Sequence, residues 1–186
     1  MARNPSDFTG YKSGIHMFFE RNASPRNLLV LFVIILIFNF FLFPVLMPSG
    51  EEEAPLDIMF TYDSEKAYDM IELYGEEGRR SYIRGLAFLD FIYPVVYSLF
   101  LGFIIFKIYK RPLPALIPLS ILVSDYLENT GIIIMLISWP SRLFVLAWLT
   151  SLMTSIKWVL TGISVLAIVL GLLSRLRIKN TAVILL

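Results

Sequence analysis

The chain of 186 residues has no cysteine and a single histidine, His16. The first absence removes disulfides, thiolate nucleophiles and sulfur-ligated clusters together. The second leaves too few ligands for the usual haem, di-iron or zinc sites. No phosphate-cradling glycine loop is present, and no nucleophile stands out beyond ordinary serines and threonines. The repeated aspartates of prenyl-transferring enzymes and the Asp-Gly signature of alcohol phosphotransferases are also missing. Net charge is scarce too: the formal value is +1, because acidic and basic segments cancel. Nucleic-acid binding, which needs a basic field, therefore has little support. No motif implies a particular cofactor.

What the chain has is apolar sequence. Hydrophobic residues make up 57% of it, with a mean hydropathy of +0.72, beyond what an ordinary soluble domain tolerates. Four apolar runs account for this, giving expected spans at about 27–47, 82–107, 113–138 and 142–174. Each reaches the roughly 20 residues that cross a hydrocarbon core. The reading is an all-α integral membrane protein, a multi-pass bundle of four transmembrane helices forming one domain over residues 1–186. A polar segment precedes the first run and no small-x-small cleavage site follows it, so that run reads as a retained signal anchor. Arg3, Lys12, Arg21 and Arg26 precede helix one, Lys107, Lys110 and Arg111 join helices two and three, and Arg175, Arg177 and Lys179 follow helix four. By the positive-inside rule both termini are cytoplasmic. Plasma membrane and endomembrane are not distinguished. Asn22-Ala23-Ser24 matches a glycosylation sequon but falls on the cytoplasmic side, as a chance match does.

The segment 48–81 is the expected outer loop, acidic from Glu51 to Glu77 with Lys66 as its only base before Arg79. Within it Ala67, Met70, Ile71 and Tyr74 fall at i, i+3, i+4 and i+7, with Asp63 or Ser64 to cap and Gly75 to terminate a short amphipathic helix. Ordinary packing is favoured for it over a moving lid. Arg79 and Arg80 are expected at the headgroups. Ile15, Phe18 and Phe19 suggest a short interfacial helix before the first span, the alternative being an unstructured tail. Ser24-Pro25 supplies an N-cap followed by proline at the first helical position, and helix one should end near Pro48-Ser49-Gly50. Pro112, Pro114 and Pro118 open helix three, and Trp139-Pro140-Ser141-Arg142 makes a tight turn into an antiparallel helix four. From Arg142 to Arg175 that helix would run about 50 Å against a core of ~30 Å, so it must tilt, bend or project.

The chemistry lies in charges inside these spans. Asp90 falls in helix two, Asp125 and Glu128 in helix three, and Lys157 in helix four. Each costs roughly 2.5–3.5 kcal/mol at the bilayer centre on insertion scales, so the fold must hide them from lipid. Asp90, Tyr93 and Tyr97 share a stripe, and Pro94 lies four residues after Asp90. Proline lacks the N–H that would bond the Asp90 carbonyl, which predicts a kink with a freed backbone oxygen beside an acid. The alternative is a structural kink with a neutral, hydrogen-bonded carboxyl. Ser120, Ser124 and Glu128 form one stripe of helix three, Asp125 and Asn129 the adjoining one. Two carboxyls at i and i+3 titrate as a coupled pair. Thr150, Thr154, Lys157, Thr161 and Ser164 line helix four, a pattern that close helix packing explains for the hydroxyls. Lys157 either pairs with the acids or snorkels, and pairing is preferred. Three carboxylates against one ammonium leave negative charge uncompensated, which calls for a proton, an inward-reaching Arg84 or a cation.

Three functions fit these residues. The first is a bundle that binds or translocates a proton, a cation or a cationic lipophile in a pocket of Asp90, Asp125, Glu128, Asn129 and Lys157, walled by Tyr93, Tyr97, Tyr126 and Trp158 and completed by Asn39. The second is an intramembrane enzyme acting on a lipid or sterol by carboxyl acid–base chemistry. In its four-helix layout with acids inside the membrane the chain resembles the sterol isomerase and sigma-2 receptor group; no family motif matches residue by residue, and no site is carried over. The third is a structural or partner-binding membrane subunit whose polar residues set helix register. The bilayer is a partner in all three, and a homo-oligomer is considered because four helices make a narrow conduit.

Overall fold

A computed structural model describes residues 13–46 and 55–184, and the regular structure among them is entirely helical. Helix α1 (Gly14–Asn22) is capped by Ser13, whose hydroxyl accepts the His16 N–H at 3.2 Å. Helix α2 (Pro25–Ile37) starts where the Ser24-Pro25 pair predicts, with Ser24 Oγ accepting the Asn27 N–H at 3.1 Å. It runs through a π-helical stretch, Phe38–Leu42, into α3 (Phe43–Leu46). The expected end at Pro48-Ser49-Gly50, Arg3, Lys12 and the Glu51–Glu53 run lie outside the described residues.

A 3-10 turn, Leu56–Ile58, precedes α4 (Ser64–Leu73), the amphipathic helix of the loop. Asp63 caps it, accepting the Lys66 N–H at 2.7 Å, and Gly75 ends it at φ 62°, where a Cβ would be strained. Ala67, Tyr68, Met70 and Ile71 are all buried, so the helix packs as a fixed part of the core. The stretch expected to be the second span departs from a single kinked helix. It is split into α5 (Gly75–Phe88) and α6 (Tyr93–Tyr109), which meet at 44° across a break that contains Asp90. Residues 75–81, expected in the loop, are the first turns of α5. Helices α7 (Pro112–Ala115), α8 (Ile117–Ser138) and α9 (Phe144–Ile184) complete the chain.

Three helical stretches are long and apolar enough to cross a membrane: Pro25–Val45, Pro112–Ser138 and Phe144–Arg177. The bent pair α5–α6 passes the same test when its halves are taken together. Helices of this length and hydropathy mark a membrane protein. Helices α8 and α9 pack most extensively, and Gly131 is what lets them close: a Cβ there would run into the Thr150 side chain. At 41 residues α9 is about 60 Å long. Arg175 near its far end donates to the Lys107 carbonyl at 2.6 Å and the Ile108 carbonyl at 2.5 Å, closing the C-terminus of α6.

Along α8 the interior divides into an apolar cluster, a polar band and a second apolar cluster. At one end Phe19 of α1 packs with Phe103, Phe106 and Ala115; at the other Leu56, Tyr68, Ile71, Leu86, Ile132 and Met135 pack together. Beside the second cluster Arg79 is tied to the protein. Its guanidinium donates to the Ile71 carbonyl at 3.1 Å, at the end of α4, and lies 5.4 Å over Trp139. Arg142 lies 5.8 Å over the same ring and pairs with Glu72 at 3.4 Å. Tyr68, unremarked in the periodicity, is fully buried and its hydroxyl accepts the Leu143 N–H at 2.5 Å, fixing the start of α9 to α4.

Candidate functional site

The polar band is built on the break in the second span. Pro94 withholds the N–H that would reach the Asp90 carbonyl, and Val95 donates to Ile92 instead of Phe91, so two backbone oxygens are released at the break. Helix α8 supplies both missing donors. Asn129 Nδ2 donates to the Asp90 carbonyl at 2.9 Å, and the Tyr126 hydroxyl donates to the Phe91 carbonyl at 2.7 Å. The freed oxygen expected beside Asp90 is therefore held by protein, and Tyr126, stacked on Phe91 at 5.0 Å, closes the break.

Asp125, Glu128 and Lys157 come together as the preferred pairing requires. Lys157 Nζ lies 2.5 Å from Glu128 Oε2 and 3.9 Å from Asp125 Oδ1. Thr154 donates to Glu128 Oε1 at 2.9 Å, which gives this member of the hydroxyl stripe a role beyond close packing. Asp125 accepts the Tyr97 hydroxyl on one oxygen and Asn129 Nδ2, at 3.1 Å, on the other. Glu128 and Asn129 are fully buried and stand behind the cavity wall. Arg84 is exposed and its Nε faces the Arg80 carbonyl, so it brings no charge to the band.

Asp90 differs from the other acids. Its carboxyl accepts no hydrogen bond from the described residues and faces a cavity of about 880 Å³. Five parts of the chain join Asp90 in lining it. Ile35, Asn39 and Phe43 come from the first span, Tyr93, Tyr97 and Phe100 from α6, Lys157, Trp158, Thr161 and Val165 from α9, and Asp57 and Ile58 from the loop, with Asp125 contributed by α8. Asn39 lies in the π-helical stretch, a local geometry frequent at functional sites, and donates to the Tyr93 hydroxyl at 2.8 Å. Polar side chains thus share the lining of the chamber with aromatic and aliphatic ones.

The chain matches no known protein family, no curated protein and no solved structure. Its site stands on geometry alone.

That geometry includes one residue the hydropathy pattern hid. Asp57 reads as one more acid of a solvated loop, yet its carbonyl accepts Lys157 Nζ at 2.9 Å, its carboxyl accepts the Tyr82 hydroxyl, and it lines the cavity. A second stripe on α9 holds this segment down: Trp158 Nε1 donates to the Met59 carbonyl at 2.9 Å, Ser155 to the Phe60 carbonyl at 3.0 Å, and Ser151 Oγ accepts the Tyr62 N–H at 2.9 Å. The i, i+4, i+7 spacing of Ser151, Ser155 and Trp158 was the available signal. Burial pushes the Tyr62 hydroxyl above its ordinary range, the cause being loss of solvent around it.

Proposed function

We infer that the chain is a four-span membrane protein, termini cytoplasmic and loop outside, that binds a small lipophilic cation in the cavity beside Asp90. On this reading α5 and α6 make one broken span and residues 1–186 make one domain in the lipid bilayer. The supporting observation is the unequal provision for the three acids. Asp125 and Glu128 share Lys157 and take further donors from Tyr97, Asn129 and Thr154, whereas Asp90, which lines the cavity, has no donor to its carboxyl among the described residues. A bare carboxylate in a low-dielectric interior costs several kcal/mol, so a positive guest gains much of what Asp90 lacks. Tyr93, Tyr97 and Trp158 add aromatic faces to which an alkylammonium is attracted. At about 880 Å³ the chamber has the size of a small-molecule site.

Native mass spectrometry of the purified protein, after exposure to a membrane extract and to a panel of lipophilic amines, tests this. Wild type retains a cationic adduct that Asp90→Asn loses while keeping its melting temperature. Equal retention by Asp90→Asn refutes it. A second reading, acid–base chemistry on a lipid or sterol, draws on Asp90 and Asp125 lining the same chamber. It requires an altered lipid, detected by mass spectrometry, that wild type produces and both Asp90→Asn and Asp125→Asn fail to produce.

A further inference from the structure

The wall that bounds the chamber on the loop side, at Asp57 and Ile58, is built unlike the others. Between Leu56 and Tyr62, both buried, none of the residues 57–61 is buried, and Ile58 and Phe60 are more than half exposed. The segment has one 3-10 turn and otherwise no regular structure. Its carbonyls at Asp57, Met59 and Phe60 are taken by Lys157, Trp158 and Ser155, all side chains of α9, and Thr61 Oγ1 lies 3.3 Å from Ser151 Oγ. Apolar burial thus fixes the two ends, side chains of α9 hold the carbonyls of the middle, and Tyr82 of α5 adds a hold on Asp57 alone, through its N–H and its carboxyl. Such bonds are replaced by water at little net cost when the segment lifts, which is how low-stability local opening arises. The helical walls cannot open this way, because their backbone groups are bonded within each helix.

We propose that Asp57–Thr61 is a flap that controls access to the Asp90 chamber from the aqueous side, latched to α9 chiefly by Lys157, Ser155 and Trp158. The proposal deepens the binding site inferred above by naming what admits its ligand, and rests on that reading only for the ligand. The latch and the acid pair share one ammonium: Lys157 Nζ holds the Asp57 carbonyl at 2.9 Å and Glu128 at 2.5 Å. Flap closure is therefore coupled to the charge inside the chamber.

The absence of native cysteine makes the test clean. Thr161 lines the chamber, and Thr161→Cys places a thiol there. A small, charged, water-soluble thiol reagent is applied in proteoliposomes, and its rate at position 161 is read by mass spectrometry of the peptide. Adding Ser155→Ala with Trp158→Phe, which removes two latch bonds and leaves the acids untouched, raises that rate roughly tenfold. Adding Thr61→Cys with Ser151→Cys and oxidising the pair lowers the rate at least severalfold, and reduction restores it in the same molecules, which guards against misfolding. Equal rates in the loosened, locked and reduced proteins overturn the flap. No ligand enters the measurement, so a gated chamber that retains no cation refutes the binding reading alone, and a cation held in an ungated chamber refutes the flap alone.

Discussion

Lys157→Met is the most informative single perturbation of the polar band. It removes the ammonium 2.5 Å from Glu128 and 3.9 Å from Asp125 while keeping most of the apolar stem. Two acids one helical turn apart then keep only neutral donors: Thr154 on Glu128, with Tyr97 and Asn129 on Asp125. Breaking a buried pair from one side costs about 3–5 kcal/mol, because the remaining charge is uncompensated. The bond to the Asp57 carbonyl adds about 1 kcal/mol. Glu128→Gln is milder, about 1.5–3 kcal/mol, since Lys157 still faces Asp125 and the loop carbonyl. The double variant Lys157→Met/Glu128→Gln removes the pair from both sides, and should recover about 1–3 kcal/mol relative to additivity. Unfolding in mixed micelles by a denaturing detergent, followed through the fluorescence of the three tryptophans, measures each corner of this cycle. A loss below about 1 kcal/mol for Lys157→Met, or strict additivity in the double variant, refutes the reasoning.

Asn129→Leu strands the Asp90 carbonyl and should cost about 1–3 kcal/mol; adding Pro94→Ala, which restores an N–H to that oxygen, should return part of it in the same unfolding assay. Gly131→Val forces α8 away from Thr150 and should cost about 1–3 kcal/mol, with Thr150→Ala relieving the clash, as melting temperatures will report. Tyr68→Phe leaves the Leu143 N–H without its acceptor and should lower stability by about 1 kcal/mol, with faster hydrogen exchange at the start of α9. Asp90→Asn should abolish retention of a lipophilic cation by native mass spectrometry without lowering the melting temperature, because its carboxyl accepts no hydrogen bond from the described residues.

Much of the fold was legible because its signals are local. Ser24-Pro25 fixes the start of α2, Asp63 and Gly75 bound α4, and the tight turn at Trp139-Pro140 makes α8 and α9 antiparallel neighbours. Each depends on one or two adjacent residues acting on their own backbone. In the second span Pro94 announced a disruption, but not that it becomes a 44° break, since that depends on donors from α8 to hold the released carbonyls. Which of the expected polar residues share a chamber was legible only in part. Asp90, Asp125, Tyr93, Tyr97, Lys157 and Asn39 do meet at one chamber, while Glu128 and Asn129 lie behind its wall and Tyr126 faces the break.

The sequence by itself determined that charge must lie inside apolar helices and that it does not balance, because hydropathy and formal charge are sums over residues that no packing can change. Only the tertiary structure decided which acid is left over. Lys157 can compensate Glu128 and Asp125 because α9 is drawn against α8 at Gly131, and Asp90 is left facing the chamber because its helix breaks there. The same holds for Asp57, indistinguishable along the chain from its acidic neighbours until α9 offers its carbonyl an ammonium. A buried charge is a property of composition, but its partner is a matter of distance, and distance between spans is set by packing.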